Sequence, residues 1–134
     1  MAIETIITQV AVLQGEIAGV RQAFDNPPSN IHVTPCFVNF MAEADSDSVN
    51  YIRKTHHLIK MQLYVSKQVT PEGEKLLRPF ITLVLAKFDA NITLNGTCDY
   101  SLIKHWASGV LTYGRTQYLG ISFDLEAHEI LSAA

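Results

Sequence analysis

This chain has little charge, few cysteines and no long apolar run, and each scarcity removes a class of function. Charged residues make up 17% of its 134 positions and sum to a net charge of −3. A protein that wraps nucleic acid presents a basic field, and this composition supplies none. Cys36 and Cys98 are the two cysteines. They are far apart and in apolar surroundings, so two buried free thiols are expected in a reducing compartment. No apolar run approaches the roughly 20 residues of a membrane-spanning helix. The opening MAIETIITQV lacks a basic leading region, and Glu4 interrupts the stretch that a secretion signal would keep apolar.

Catalytic motifs are missing as well. There is no G-x-S-x-G elbow, no phosphate-cradling glycine loop, and no H-x-x-x-H or C-x-x-C pair. His56 and His57 are adjacent, and in a strand adjacent side chains point to opposite faces, so the two cannot hold one ion. Glu43, Asp45 and Asp47 lack the central glycine and distal glutamate of a calcium loop. No catalytic, cofactor-binding or metal-ligating set is assigned, and an enzyme is not expected.

What is present is apolar periodicity. Hydrophobic residues make up 48% of the chain, more than a core of this size consumes, and a shared interface would account for the surplus. The length suits one domain spanning 1–134 that buries roughly 65–70% of its unfolded surface. Ile3, Ile6, Ile7, Val10, Leu13, Ile17, Val20 and Phe24 recur at steps of three and four, predicting a helix over 3–24 that ends at Asn26-Pro27-Pro28. Its other side carries Ala11, Gly15, Gly19 and Ala23 at i+4 spacing. Each mid-helix glycine costs about 1 kcal/mol, which close approach of another backbone would offset.

Ile31–Phe40 reads as a strand that Pro35 confines to an edge or a bulge, and 41–50 reads as a polar, acidic loop. His57, Ile59, Met61, Leu63 and Val65 alternate with His56, Leu58, Lys60, Gln62 and Tyr64, a half-buried strand. Thr70-Pro71-Glu72 opens a second helix, with Leu76, Leu77, Phe80, Ile81, Leu83, Val84, Leu85 and Phe88 as its packed arc. Pro79 predicts a kink there, or a start nearer Lys75. The glycosylation-like triplets Asn91-Ile92-Thr93 and Asn95-Gly96-Thr97 read as turn chemistry. Strands over 97–113 and 116–130 follow, joined at Gly114-Arg115. Leu119, Ile121, Phe123, Leu125 and Ala127 take one face of the last strand; Tyr118, Ser122, Asp124, Glu126 and His128 take the other. This order predicts an α+β fold: a mostly antiparallel four-stranded sheet with two helices packed on one face.

Arg53, Lys54, His56, His57 and Lys60 form a basic patch beside Tyr51 and Tyr64. It reads either as a solvated strand face or as a complement to the acidic loop of a neighbouring subunit.

Leu77-Arg78-Pro79-Phe80, Asp89-Ala90-Asn91-Ile92-Thr93-Leu94, Gly109-Val110-Leu111-Thr112-Tyr113-Gly114 and Tyr118-Leu119-Gly120-Ile121, with the order of elements, resemble the tail-terminator and neck proteins of long-tailed bacteriophages. The resemblance implies a homo-oligomeric ring, usually hexameric. Such a ring caps the tail tube, stops its polymerisation and joins the tail to the head connector, with DNA only passing through the lumen. Its partners would be further copies of itself, the major tail tube protein and a head-completion or connector protein, with no membrane. Its location would be the virion, after synthesis in the host bacterial cytoplasm. On that footing Ala11, Gly15, Gly19 and Ala23 are candidates for lateral contacts. Loop 41–54, with Asp45, Asp47, Arg53 and Lys54, and the turn at Arg115 are candidates for axial contacts. A head-completion protein of the same virion, or a small cytosolic ligand-binding domain, is the alternative.

Overall fold

A computed structural model of the chain describes residues 2–49, 52–66 and 71–132. Helix α1 spans Ala2–Gly15, strand β1 Gln22–Phe24, β2 Cys36–Val49, β3 Ile52–Ser66, helix α2 Pro71–Asp89, β4 Tyr100–Tyr113 and β5 Thr116–Ser132. The strands form one sheet in the order β1-β2-β3-β5-β4. β1 runs parallel to β2, and the other pairs are antiparallel. The four-stranded, mostly antiparallel expectation is therefore corrected to a mixed five-stranded sheet.

The fifth strand arises because the first helix is shorter than its apolar repeat. Expected over 3–24, it stops at Gly15. Beyond it the backbone tightens: Glu16 N donates to Leu13 O, and Ile17 N to Gln14 O. Gly19 then adopts φ +91°, a left-handed conformation that glycine alone enters at no steric cost. The two glycines are therefore the stop signal of the helix, and the turn they make folds Ile17 back into the core at 5% exposure. Arg21 N donates to Pro35 O at 2.9 Å, and Gln22–Phe24 then pair with Cys36–Val38.

β2 departs from expectation at both ends. Its pairing begins only at Cys36, after Pro35, and it continues through the stretch read as a loop. Residues 41–46 are exposed and bury no apolar face, so the stretch shows none of the apolar alternation that marks a strand. They are strand because β3 offers its edge. A register shift between Met41 and Glu43 sets Glu43, Asp45 and Asp47 opposite Leu58, His56 and Lys54. The expected hairpin over 97–113 and 116–130 is present as β4 and β5, closed by Gly114 at φ +62°.

Both helices cover one face of the sheet, as expected. Ile6, Val10 and Leu13 of α1 meet Phe37, Ile59, Met61, Leu63, Ile121, Phe123 and Leu125 from the strands. α2 contributes Leu77, Phe80, Val84 and Phe88, a stripe at steps of three and four. Each such side chain contributes roughly 1.5–3 kcal/mol when fully buried. The arc is narrower than expected: Leu76 is 60% exposed and Leu83 39%. Pro79 lies inside the helix, which runs on from Pro71 to Asp89. The expected cap Thr70, and Tyr51 beside the basic patch, lie outside the described residues. The turn after α2 uses the anticipated polar groups: Asn91 Nδ2 donates to Lys87 O at 2.8 Å and Thr97 Oγ1 to Leu94 O at 2.8 Å.

The other face has a smaller cluster at one end only. Cys36, Val38, Tyr64 and Tyr118 are buried there beneath Phe24, Ile31, Phe40, Leu111 and Tyr113. The Tyr64 ring meets Tyr118 and Tyr113 edge-on, at 5.3 and 5.6 Å between centroids, and the Tyr113 hydroxyl donates to Pro28 O. Cys98 belongs to the core on the helix side. Both thiols are free and buried, each pushed up to about 11 by burial.

Candidate functional site

The far end of the helix-free face carries a band of polar side chains in register across four strands. Tyr100 of β4 pairs with His128 of β5, His128 with His56 of β3, and His56 with Asp45 of β2. The Tyr100 and His128 rings stack at 4.2 Å with 10° between planes, and His56 lies 4.1 Å from His128 on its other side. One step along the strands, Leu102, Glu126, Leu58 and Glu43 form the next row.

Glu126 ties the rows together. It sits two residues from His128, hence on the same face, with its Oε1 2.6 Å from His128 Nε2. Lys104 Nζ holds the other carboxylate oxygen at 2.9 Å. That hydrogen bond is the main reason the Glu126 carboxyl is held below its usual range. Burial lowers the His128 pKa, with the nearby His56 adding to the effect. Further along, Lys60 and His105 approach Asp124 at 3.6 and 3.7 Å. A cavity of about 220 Å³ opens beside His56, lined by Asp45, Ser46 and Lys54.

His57 points the other way, as its position beside His56 demands. It is buried on the helix side with Nε2 3.0 Å from Glu129 Oε1. Its Nδ1 has no hydrogen-bond partner among the described residues.

The four small residues expected on one helical face are separated. Ala11 and Gly15 are on α1, Gly19 is in the turn, and Ala23 is in β1, half-buried against the core. Gly15 is exposed, and a side chain there would meet nothing within 4 Å. Asp45 and Lys54 are exposed on the β2–β3 hairpin, where Asp47 is the register partner of Lys54 and Ser48 that of Arg53. The acidic stretch and the basic patch are therefore neighbours within one chain. Arg115 lies in the β4–β5 turn at the opposite end of the sheet, beside a cavity of about 350 Å³ lined by Ser29, Ile31 and Tyr118.

No protein-family model matches this chain, and the comparison with curated proteins finds no match. No described helix is long and apolar enough to cross a membrane.

The grouping of His56, Glu126 and His128 was missed by sequence reasoning. The alternation in β5 already put Glu126 and His128 on one face, and that in β3 put His56 on a polar face. Which polar faces adjoin depends on the β3–β5 register, a pairing between residues about 70 positions apart that no local pattern encodes.

Proposed function

We propose that this chain is a structural ring subunit of a long-tailed bacteriophage, a tail terminator that caps the tail tube and joins it to the head connector. The motifs at Gly109–Gly114 and Tyr118–Ile121 carry the family resemblance. The single observation that carries the reading is that the sheet has two long unpaired edges. Among the described residues nothing pairs with the outer edge of β4, or with β2 beyond Val38. Such edges are templates for strand addition, and stable proteins cover or pair them.

A second copy is the occupant that fits. Pairing the β4 edge of one subunit with the β2 edge of the next is a heterologous contact, which closes into a ring when the rotation is right. The joined sheets would then line a channel with their mixed-charge, helix-free face. The helices would lie outside, where Leu76, Pro79 and Leu83 are exposed at i, i+3 and i+7 on α2. The β2–β3 hairpin and the Arg115 turn lie at opposite ends of strands as long as β5's 17 residues, roughly 55 Å of extended chain. That separation supports contacts with two different neighbours along an axis: the tail tube protein on one side, a head-completion or connector protein on the other. In this reading the protein is made in the host bacterial cytoplasm and resides in the virion as a ring of six, with DNA passing through its lumen and no catalytic role.

Electron microscopy of the purified chain, alone and with assembled tail tubes, tests this. Rings with a central hole, and caps on tube ends that halt elongation, are the expected result. Rings that ignore tube ends point to a head-completion protein, and a monomer in both samples overturns the ring.

A further inference from the structure

We propose that His56, Glu126 and His128 form a binding site for a borderline divalent cation such as Zn²⁺, Co²⁺ or Ni²⁺. One ligand atom from each of the three lies within 4.8 Å of the others, and all three side chains share the helix-free face. Two neutral imidazole nitrogens and one carboxylate oxygen are a donor set for these ions, whereas Mg²⁺ and Ca²⁺ take oxygen ligands. Three protein ligands leave a fourth tetrahedral position open to water.

The geometry is close to what such an ion needs. Zinc–nitrogen and zinc–oxygen bonds of about 2.0–2.2 Å put neighbouring ligand atoms roughly 3.3 Å apart. Glu126 Oε1 and His128 Nε2 are 2.6 Å apart, the spacing of a shared proton. A cation in place of that proton separates them by a fraction of an ångström. His128 is held between the rings of Tyr100 and His56, so its orientation is set in advance. His56 is exposed and adjoins the cavity of about 220 Å³, which leaves its ring room to turn inward. Lys104 binds Glu126 Oε2 and leaves Oε1 as the donor. Its ammonium also repels an incoming cation, so Lys104 both positions the carboxylate and limits affinity. Asp45, the register partner of His56 across β2, adds negative charge on the far side of that ring.

The test is calorimetric titration of the full, untagged chain with zinc chloride, repeated with cobalt chloride while the visible spectrum is recorded. Saturable binding of one ion per chain and an intense, tetrahedral-type cobalt spectrum are expected. His56→Gln and His128→Gln should each weaken binding at least about tenfold, the loss that even an outer-shell partner's removal causes. Lys104→Met should tighten it, and His32→Gln should leave it unchanged. Circular dichroism checks folding; if His128→Gln unfolds, His56→Gln, at an exposed position, and Glu126→Gln, at a half-buried one, still decide the question. Absence of saturable binding, binding that survives both histidine substitutions, or equal binding of Mg²⁺ would overturn the site.

Discussion

Gln14 and Asn39 exchange two side-chain hydrogen bonds of 2.8 Å, each amide donating to the other's oxygen, and both are essentially fully buried. Asn39 Nδ2 also donates to Phe24 O at 2.8 Å. The pair thereby joins α1, β1 and β2 at the parallel β1–β2 junction. A buried amide left without its partner costs about 1–3 kcal/mol. Gln14→Leu and Asn39→Leu should each lower stability by about that amount in urea denaturation. The double variant should recover part of the loss, because no amide is then left unpaired, although Phe24 O still loses its donor.

Gly120 of β5 is the register partner of Tyr64 on β3 and of Gly109 on β4. A Cβ there would lie 2.2 Å from Leu63 O and 2.8 Å from Leu111 Cδ1, and backbone oxygen cannot move aside cheaply. Gly120→Ala should destabilise the fold by about 3 kcal/mol or more, at the upper end of overpacking costs. Thermal melts of the variant against the wild type would measure it.

Gly15, the last residue of α1, and Gly19 in the turn beyond it respond differently to the same substitution. Gly15→Leu meets open space and should fold like the wild type. Gly19→Leu combines φ +91° with a Cβ 3.2 Å from the Phe80 ring, and should lower stability by roughly 1–3 kcal/mol. Only Gly15→Leu therefore reports on assembly: sedimentation should show loss of rings if that surface is a lateral contact, and unchanged rings would remove Gly15 from the interface.

His128 titrates below the ordinary imidazole value of 6.5 in the folded chain, so the unfolded chain takes up its proton first. Stability is then present above pH 6.5 and is lost as pH falls below it. With metal ions chelated, the urea midpoint should drop between about pH 7.5 and about pH 5.5, and His128→Gln should remove much of that drop. The Glu126 contribution, from a carboxyl held below 4.5, is lost only in more acid solution. The two groups are therefore separable by pH window.

Cys36 and Cys98, with thiols pushed up to about 11, should resist a thiol reagent at neutral pH in the folded protein, since the thiolate is the reactive form. Both should react promptly in denaturant. Fast labelling of the native chain would contradict their burial.

The sequence by itself determined the parts that are local or strongly periodic. These are the α2 stripe Leu77, Phe80, Val84 and Phe88, the alternation of β3 and β5, the Gly114-Arg115 turn, the two helices on one face, and the opposed directions of His56 and His57. Each follows from a repeat of 3.6 or 2 residues or from turn chemistry within a few positions. Tertiary structure decided the rest. The apolar repeat of α1 runs to Phe24, yet the helix stops at Gly15, because a glycine turn returns Ile17 to the core while freeing β1 to pair. The acidic stretch after Met41 has no apolar alternation to announce a strand, and becomes one only because β3 presents its edge. The cluster of His56, Glu126 and His128, like the Gln14–Asn39 pair, exists only in register: each half is ordinary in sequence, and only the folded pairing brings the halves within reach.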